Sequence, residues 1–180
     1  MKRNTFLQHV NFRLGNIVSI LLILVIYSCS EKLDTQPQGV LDPATVVSTE
    51  ENIDNLIIGV YGMLNGYNPA TGNAWQTSVT NWVYGDITSD DAYKGSELTD
   101  QGPALEIEMF SHNSSNSYFN AKWRALYEGV KRSNDALRAL NASDFLSESV
   151  KAERIAEVRF LRGHFYFDLK KVFDKVPYLD

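Results

Sequence analysis

The run AERIAEVRFLRGHFYFDLKKVFDKVP, residues 152–177, repeats its apolar side chains at the period of an α-helix. Ile155, Val158, Leu161, Phe165, Leu169, Val172, Phe173 and Val176 recur at steps of three or four, which places them on one helical face. So apolar a stripe has to be covered by other elements. Phe160, Tyr166 and Phe167 flank it, so the helix is expected to touch more than one neighbour, while Glu153, Glu157, Arg162, Lys170 and Asp174 spread over the remaining surface. Pro177 has no N–H to donate and disfavours the α conformation at Val176, so the helix is expected to stop there.

Upstream, residues 118–140 keep the same spacing at Phe119, Trp123, Leu126, Val130, Leu137 and Leu140, with Asn134 on the stripe. Asn134 could hold a ligand, but a buried amide that fixes helix packing is the commoner use of such a residue. Ser and Asp in residues 141–149 serve as turn and cap residues, so the two helices should form an antiparallel hairpin. Further upstream, Ser48-Thr49-Glu50-Glu51 fits a capping box ahead of a stripe at Ile53, Leu56, Ile57, Val60, Tyr61 and Leu64. Gly59 and Gly62 cost about 1 kcal/mol each against Ala inside a helix, so they are expected to admit a close helix neighbour. Gly66 is expected to end that helix. Helical hairpins resemble tetratricopeptide repeats, yet no 34-residue consensus recurs, so any such repeat is degenerate.

Between these helices the chain is loop-rich. Residues 67–81 hold Asn68-Pro69, Gly72-Asn73 and several Ser and Thr, with Trp75 among them. Sugar rings present C–H faces that stack on indole, so Trp75 is the first ligand candidate, Trp82 and Tyr84 follow, and a packing anchor is the alternative use of each. Asp86, Asp90 and Asp91 offer three carboxylates, but their spacing is not the D-x-D-x-D-G calcium loop. Capping and turning the chain is the simpler use of these Asp and Ser residues. A glycosidase acid pair needs only ~5–10 Å between carboxyls, and nothing singles these out as one. There is no phosphate loop, HExxH or GxSxG, the three histidines lie far apart, and no cofactor motif is present.

The amino terminus reads as an export signal. Lys2, Arg3 and Arg13 form a basic start, residues 17–27 are almost wholly apolar, and Ser28-Cys29 follows. A membrane-crossing helix needs ~20 apolar residues, more than this run supplies. Cys29 is the single cysteine, and Ile26-Tyr27-Ser28-Cys29 matches a bacterial lipobox apart from Tyr27. A lone thiol in an exported chain calls for an explanation, and lipidation supplies one. Acyl chains such as palmitate anchor stably when there is more than one, each buried methylene adding about 0.8 kcal/mol. The sequence thus divides into a lipoprotein signal peptide over 1–28, a polar, Pro-bearing lipidated tether over 29–45, and a helical domain over 46–180.

Composition fits a globular chain, with 44% hydrophobic and 12% aromatic residues. Loss of the signal leaves 14 basic residues against 22 acids, a net charge of −8, which argues against nucleic acid as a partner. Charge is uneven: residues 30–118 carry two Lys and 13 acids, whereas 119–180 carry 12 basic residues and nine acids. A solvated face explains this more simply than an acidic partner surface, since charge is screened beyond ~8–10 Å.

Several separate segments share a family pattern. Residues 152–177 resemble "AEaRFLRAyyYfdLvrlFGdVPl", the signature of the SusD/RagB family, departing at Gly163-His164 and at Asp174-Lys175. Residues 29–39, CSEKLDTQPQG, resemble "CsdflDtePqg", and residues 84–95 resemble "D..sDDa.kG". Trp123, Tyr127 and Ser133-Asn134 resemble "W..lY..I..aN..l", and Ile58-Gly59-Val60-Tyr61 resembles the family's first long helix. The resemblance runs from Cys29 to Pro177 in the family's order. It implies an all-α fold of helical hairpins of degenerate tetratricopeptide-like type with long loops. It further implies an outer-membrane lipoprotein of Bacteroidota, displayed on the cell surface and anchored through Cys29. Such a protein binds glycan, or sometimes peptide, and passes it to a SusC-like TonB-dependent transporter without catalysis. Family members are longer, so this chain is expected to be an incomplete domain, the amino-terminal part of one. A lipoprotein scaffold without ligand and a helical glycoside hydrolase are the other classes open to the sequence.

Overall fold

A computed structural model describes residues 49–65, 78–97 and 99–180. Two compact units divide the chain at Asp42, and the described residues all belong to the second, Pro43–Asp180. Cys29, the tether, Gly66 and Trp75 lie outside the described residues. Those residues form five α-helices and no strand: α1 Glu50–Tyr61, α2 Asn81–Tyr84, α3 Gly102–Glu108, α4 Ser117–Ala142 and α5 Glu148–Phe173. Short 3₁₀ turns, Gly62–Asn65 and Ser78–Thr80, extend α1 and precede α2.

The hairpin of α4 and α5 is the frame. Their facing pairs, Gly129 with Phe165, Asn134 with Arg162 and Trp123 with Phe173, fall in reverse order along the two helices, so they run antiparallel. Each starts on a side-chain cap: Asn116 Oδ1 accepts from Tyr118 N at 3.0 Å and Ser147 Oγ from Val150 N at 3.4 Å. The Val158, Leu161, Phe165 and Leu169 stripe of α5 meets Leu126, Val130, Leu137 and Leu140 of α4. α1 adds Ile53, Ile57 and Val60 to the same core, with Met63 from its 3₁₀ extension. Arg154 of α5 pairs with Glu50 and Asp54 of α1 at 2.8 and 2.9 Å, and Tyr61 donates to Glu157 at 2.6 Å. A smaller core joins Val83 and Ile87 to Ala104 and Ile107 of α3.

Several expectations are corrected in detail. α5 ends at Phe173, earlier than Val176. Pro177 cannot supply the N–H that would bond the Phe173 carbonyl, and Asp174 turns to φ 59 to release the chain. Thr49, rather than Ser48, caps α1, its Oγ1 accepting from Asn52 N at 3.2 Å. A Cβ on Gly59 or Gly62 would meet nothing within 4 Å, so neither admits a close helix neighbour. The close approach is at Gly129, where a Cβ would lie 2.8 Å from three ring carbons of Phe165. Phe160 and Phe167 do not widen the buried stripe; they are 75% and 62% exposed. No periodicity announces α3, which opens with Pro103 in its first turn, a position where the missing N–H is harmless.

Candidate functional site

Beside the hairpin lies an open cavity of about 640 Å³. Its apolar wall comes from α4 and α5. Trp123 and Phe173 meet edge to face at 5.0 Å, and Phe119 sits 6.2 Å from Phe173. These three rings reach each other because Phe119 and Trp123 stand one helical turn apart on α4 while Phe173 closes α5 opposite. The polar wall is the loop before α4, with His112, Asn113, Ser114 and Ser115, joined by Asn120 from the first turn of α4. The His112 ring lies 4.8 Å from that of Phe119, tying the two walls together. Asn113 Oδ1 accepts from Ser115 N at 2.8 Å and fixes the loop's turn. Asn116, nearly fully buried, donates to Pro103 O and Glu106 Oε2, both at 2.9 Å, and so holds α3 against the start of α4. An aromatic wall facing amides and hydroxyls can stack an apolar ring face and hydrogen-bond its polar edge at once.

A second groove, of about 530 Å³, shares Trp123. Tyr127 and Val130 line it from α4, and Pro177 and Leu179 line it from the chain after α5. That segment is strapped down: Tyr127 donates to Pro177 O at 2.7 Å, and Asn134 Nδ2 donates to Leu179 O at 3.0 Å. Asn134 Oδ1 accepts from Arg162 at 2.7 Å, so its amide fixes α4, α5 and the strap together. Tyr178 stacks on Tyr166 with centroids 5.1 Å apart.

Behind the first cavity lies a charged group that the sequence did not single out. Lys122 is 1% exposed; its Nζ donates to Asn81 Oδ1 at 2.6 Å and stands 5.6 Å over the Tyr84 ring. Burial pulls its pKa down to about 8, with the Asp168 carboxylate opposing that fall and Lys171 adding to it. Asp168 is itself 3% exposed, 2.6 Å from Lys171 Nζ and 3.8 Å from His164 Nε2. The network joins α2, α4 and α5 in one place.

Of the aromatics expected to meet a ligand, Trp82 is half-buried against the smaller core. Tyr84 is half-buried too; its hydroxyl donates to Tyr118 O at 2.7 Å, and burial raises its pKa. Its ring lies 5.7 Å from Phe119, so it backs the cavity wall. Asp86, Asp90 and Asp91 are exposed in a turn closed by Thr88 and Ser89, whose hydroxyls donate to Gly85 O and Asp86 O. Among the described residues no group of three His, Cys, Asp or Glu could hold a metal, and no helix is long and apolar enough to cross a membrane. The sequence reading missed the cavity itself. Its available signal was the aromatic pair Phe119 and Trp123 at helical spacing, preceded by the polar run His112-Asn113-Ser114-Ser115.

Comparison with known proteins gives a concordant result. A SusD-like family pattern, described as starch-binding associating with outer membrane, matches residues 31–180. Two proteins of Formosa agariphila are similar to this chain. SusD-like protein P25 is 22% identical over 174 residues, covering 90% of this chain and 30% of its own length. SusD-like protein P2 is 25% identical over 170 residues, covering 91% of this chain and 30% of its own length. The chain therefore spans about 30% of the length of the curated relatives it matches.

Proposed function

This chain belongs to the SusD-like family, and from that premise we propose that it forms the amino-terminal part of a cell-surface lipoprotein that binds glycan and hands it to a TonB-dependent outer-membrane transporter. The observation that carries this reading is the cavity walled by Phe119, Trp123 and Phe173 and fringed by His112, Asn113 and Asn120. Aromatic faces suit the C–H faces of a pyranose, while the amides suit its hydroxyls. Cys29, in its lipobox, takes the acyl chains, and residues 30–45 tether the helical domain above the membrane. Binding without turnover is the proposed role, with no catalytic residue assigned.

Asn120 supplies the test because it is exposed and lies on the cavity rim. In the full chain, purified from detergent-solubilised outer membrane, Asn120→Ala is expected to weaken maltoheptaose binding roughly fivefold, about the worth of one net hydrogen bond. The melting temperature should not move. Binding as strong as the parent's would remove the cavity from the account.

A further inference from the structure

A third opening, of about 290 Å³, lies between α4 and α5 and differs in kind from the other two. Its lining carries three guanidiniums, Arg138 from α4 with Arg159 and Arg162 from α5, and the amides of Asn134 and Asn141 stand beside them. The register of the hairpin brings the arginines together. Asn134 Oδ1 accepts from Arg162, so one turn forward on α4 and one turn back on the antiparallel α5 set Arg138 and Arg159 across from each other. Like charges so placed repel, and an anion among them converts the repulsion into attraction.

Each guanidinium has donors left to give. Arg159 is exposed and has neither a hydrogen bond nor an ion pair among the described residues. Arg138 pairs with Asp135, which also takes Lys131 at 3.1 Å, so one carboxylate is divided between two cations. Arg162 gives one of its five N–H groups to Asn134 and stands 5.7 Å over the Tyr178 ring, so its fork is held in place before any ligand arrives. Asp180 also lines the pocket, and among the described residues it pairs with none of the three arginines. The planar fork of a guanidinium matches the paired oxygens of a carboxylate, and a sulfate presents a similar pair.

We propose that Arg138, Arg159 and Arg162 form an anion site that takes a single carboxylate or sulfate group. Its volume stands at the lower end of the ~300–1,000 Å³ of ligand pockets, enough for one charged group and the ring or stub that bears it. The group arrives as a free anion or as the acidic substituent of a small molecule, and the oxyanion is the chemistry common to both. A protein segment fits less well, because a stable protein interface covers about 800 Å² per partner and this opening holds one group. No residue of this lining belongs to the aromatic cavity, so the site stands apart from the glycan function proposed above.

The test uses the full chain purified from detergent-solubilised outer membrane, in chloride buffer of fixed ionic strength, with calorimetric titration of sodium sulfate. Sulfate should bind at one site. Arg159→Gln and Arg138→Gln should each weaken it roughly tenfold, the worth of one charge-assisted hydrogen bond, at unchanged melting temperature in chloride. Competition by galacturonate, with galactose as its neutral counterpart, then separates the sources. Displacement of sulfate by galacturonate and not by galactose would uphold the site with a borne carboxylate as its ligand, and sulfate binding without displacement would uphold it as a free-anion site. A parent that binds neither anion would overturn the proposal, as would parental binding by both variants. A lower melting temperature for Arg159→Gln would make that residue a structural one and overturn it too. Loss of transporter co-purification in Arg159→Gln, with no sulfate bound by the parent, would make the pocket a protein contact instead.

Discussion

Replacing Asp168 with alanine is expected to destabilise the folded chain by roughly 1–3 kcal/mol at pH 7, the range for leaving a buried polar partner unsatisfied. Asp168 is nearly fully buried and faces two cations, Lys171 at 2.6 Å and the buried Lys122. Its removal strips the Lys122 ammonium of that counter-charge and leaves the repulsion of Lys171 in place. The loss should depend on pH. Lys122 titrates near 8 in the fold against 10.5 for a lysine in water, so the unfolded chain binds the extra proton between those values. The cost of burying the ammonium is fully present below about 8 and is relieved as pH rises toward 10.5. Stability from this group therefore increases with pH across that window. Asp168→Ala should be most damaging at pH 7 and distinctly milder at pH 10, as read by urea titration of parent and variant side by side. An equal deficit at both pH values would mean that Asp168 acts through Lys171 and packing rather than through Lys122.

Gly129→Ala is expected to destabilise by roughly 1–3 kcal/mol, the range for overfilling a packed core, despite the ~1 kcal/mol that alanine normally gains over glycine in a helix. The added methyl would press on the face of Phe165, which is 1% exposed and has no room to retreat. Phe165→Leu removes the ring edge and should relieve the clash, so the double variant should lose less than the sum of the two single ones. Denaturant midpoints for the four proteins give the coupling. If Gly129→Ala were as stable as the parent, the tight crossing of α4 and α5 would not exist as described.

These two positions also show where sequence reading stops. The α5 stripe was legible because a helix writes its buried face into local spacing, and the Val158, Leu161, Phe165 and Leu169 positions are core as that spacing requires. Asn134 was legible as a fixture for the same reason: an amide on an apolar stripe must find partners, and here they are Arg162 and Leu179. Gly129 was not, because its role is set by a ring 36 positions later, whereas Gly59 and Gly62 looked similar locally and face open space. Lys122 was overlooked because a lysine beside a stripe normally reaches water. The packing of α2 and α5 around that part of α4 buries it. The cavity draws its walls from the loop before α4, the first turns of α4 and the end of α5, and no periodicity links such distant segments.

We propose that this chain binds glycan and hands it to an outer-membrane transporter. This is tested most directly by recovering the native protein from its own outer membrane in mild detergent, with intact masses recorded for everything retained. The account predicts a large β-barrel transporter in stoichiometric company with a lipidated bait, and loss of the lipid mass from the bait when Cys29 is changed to serine. A bait recovered alone, or one that keeps its lipid mass without Cys29, would contradict it.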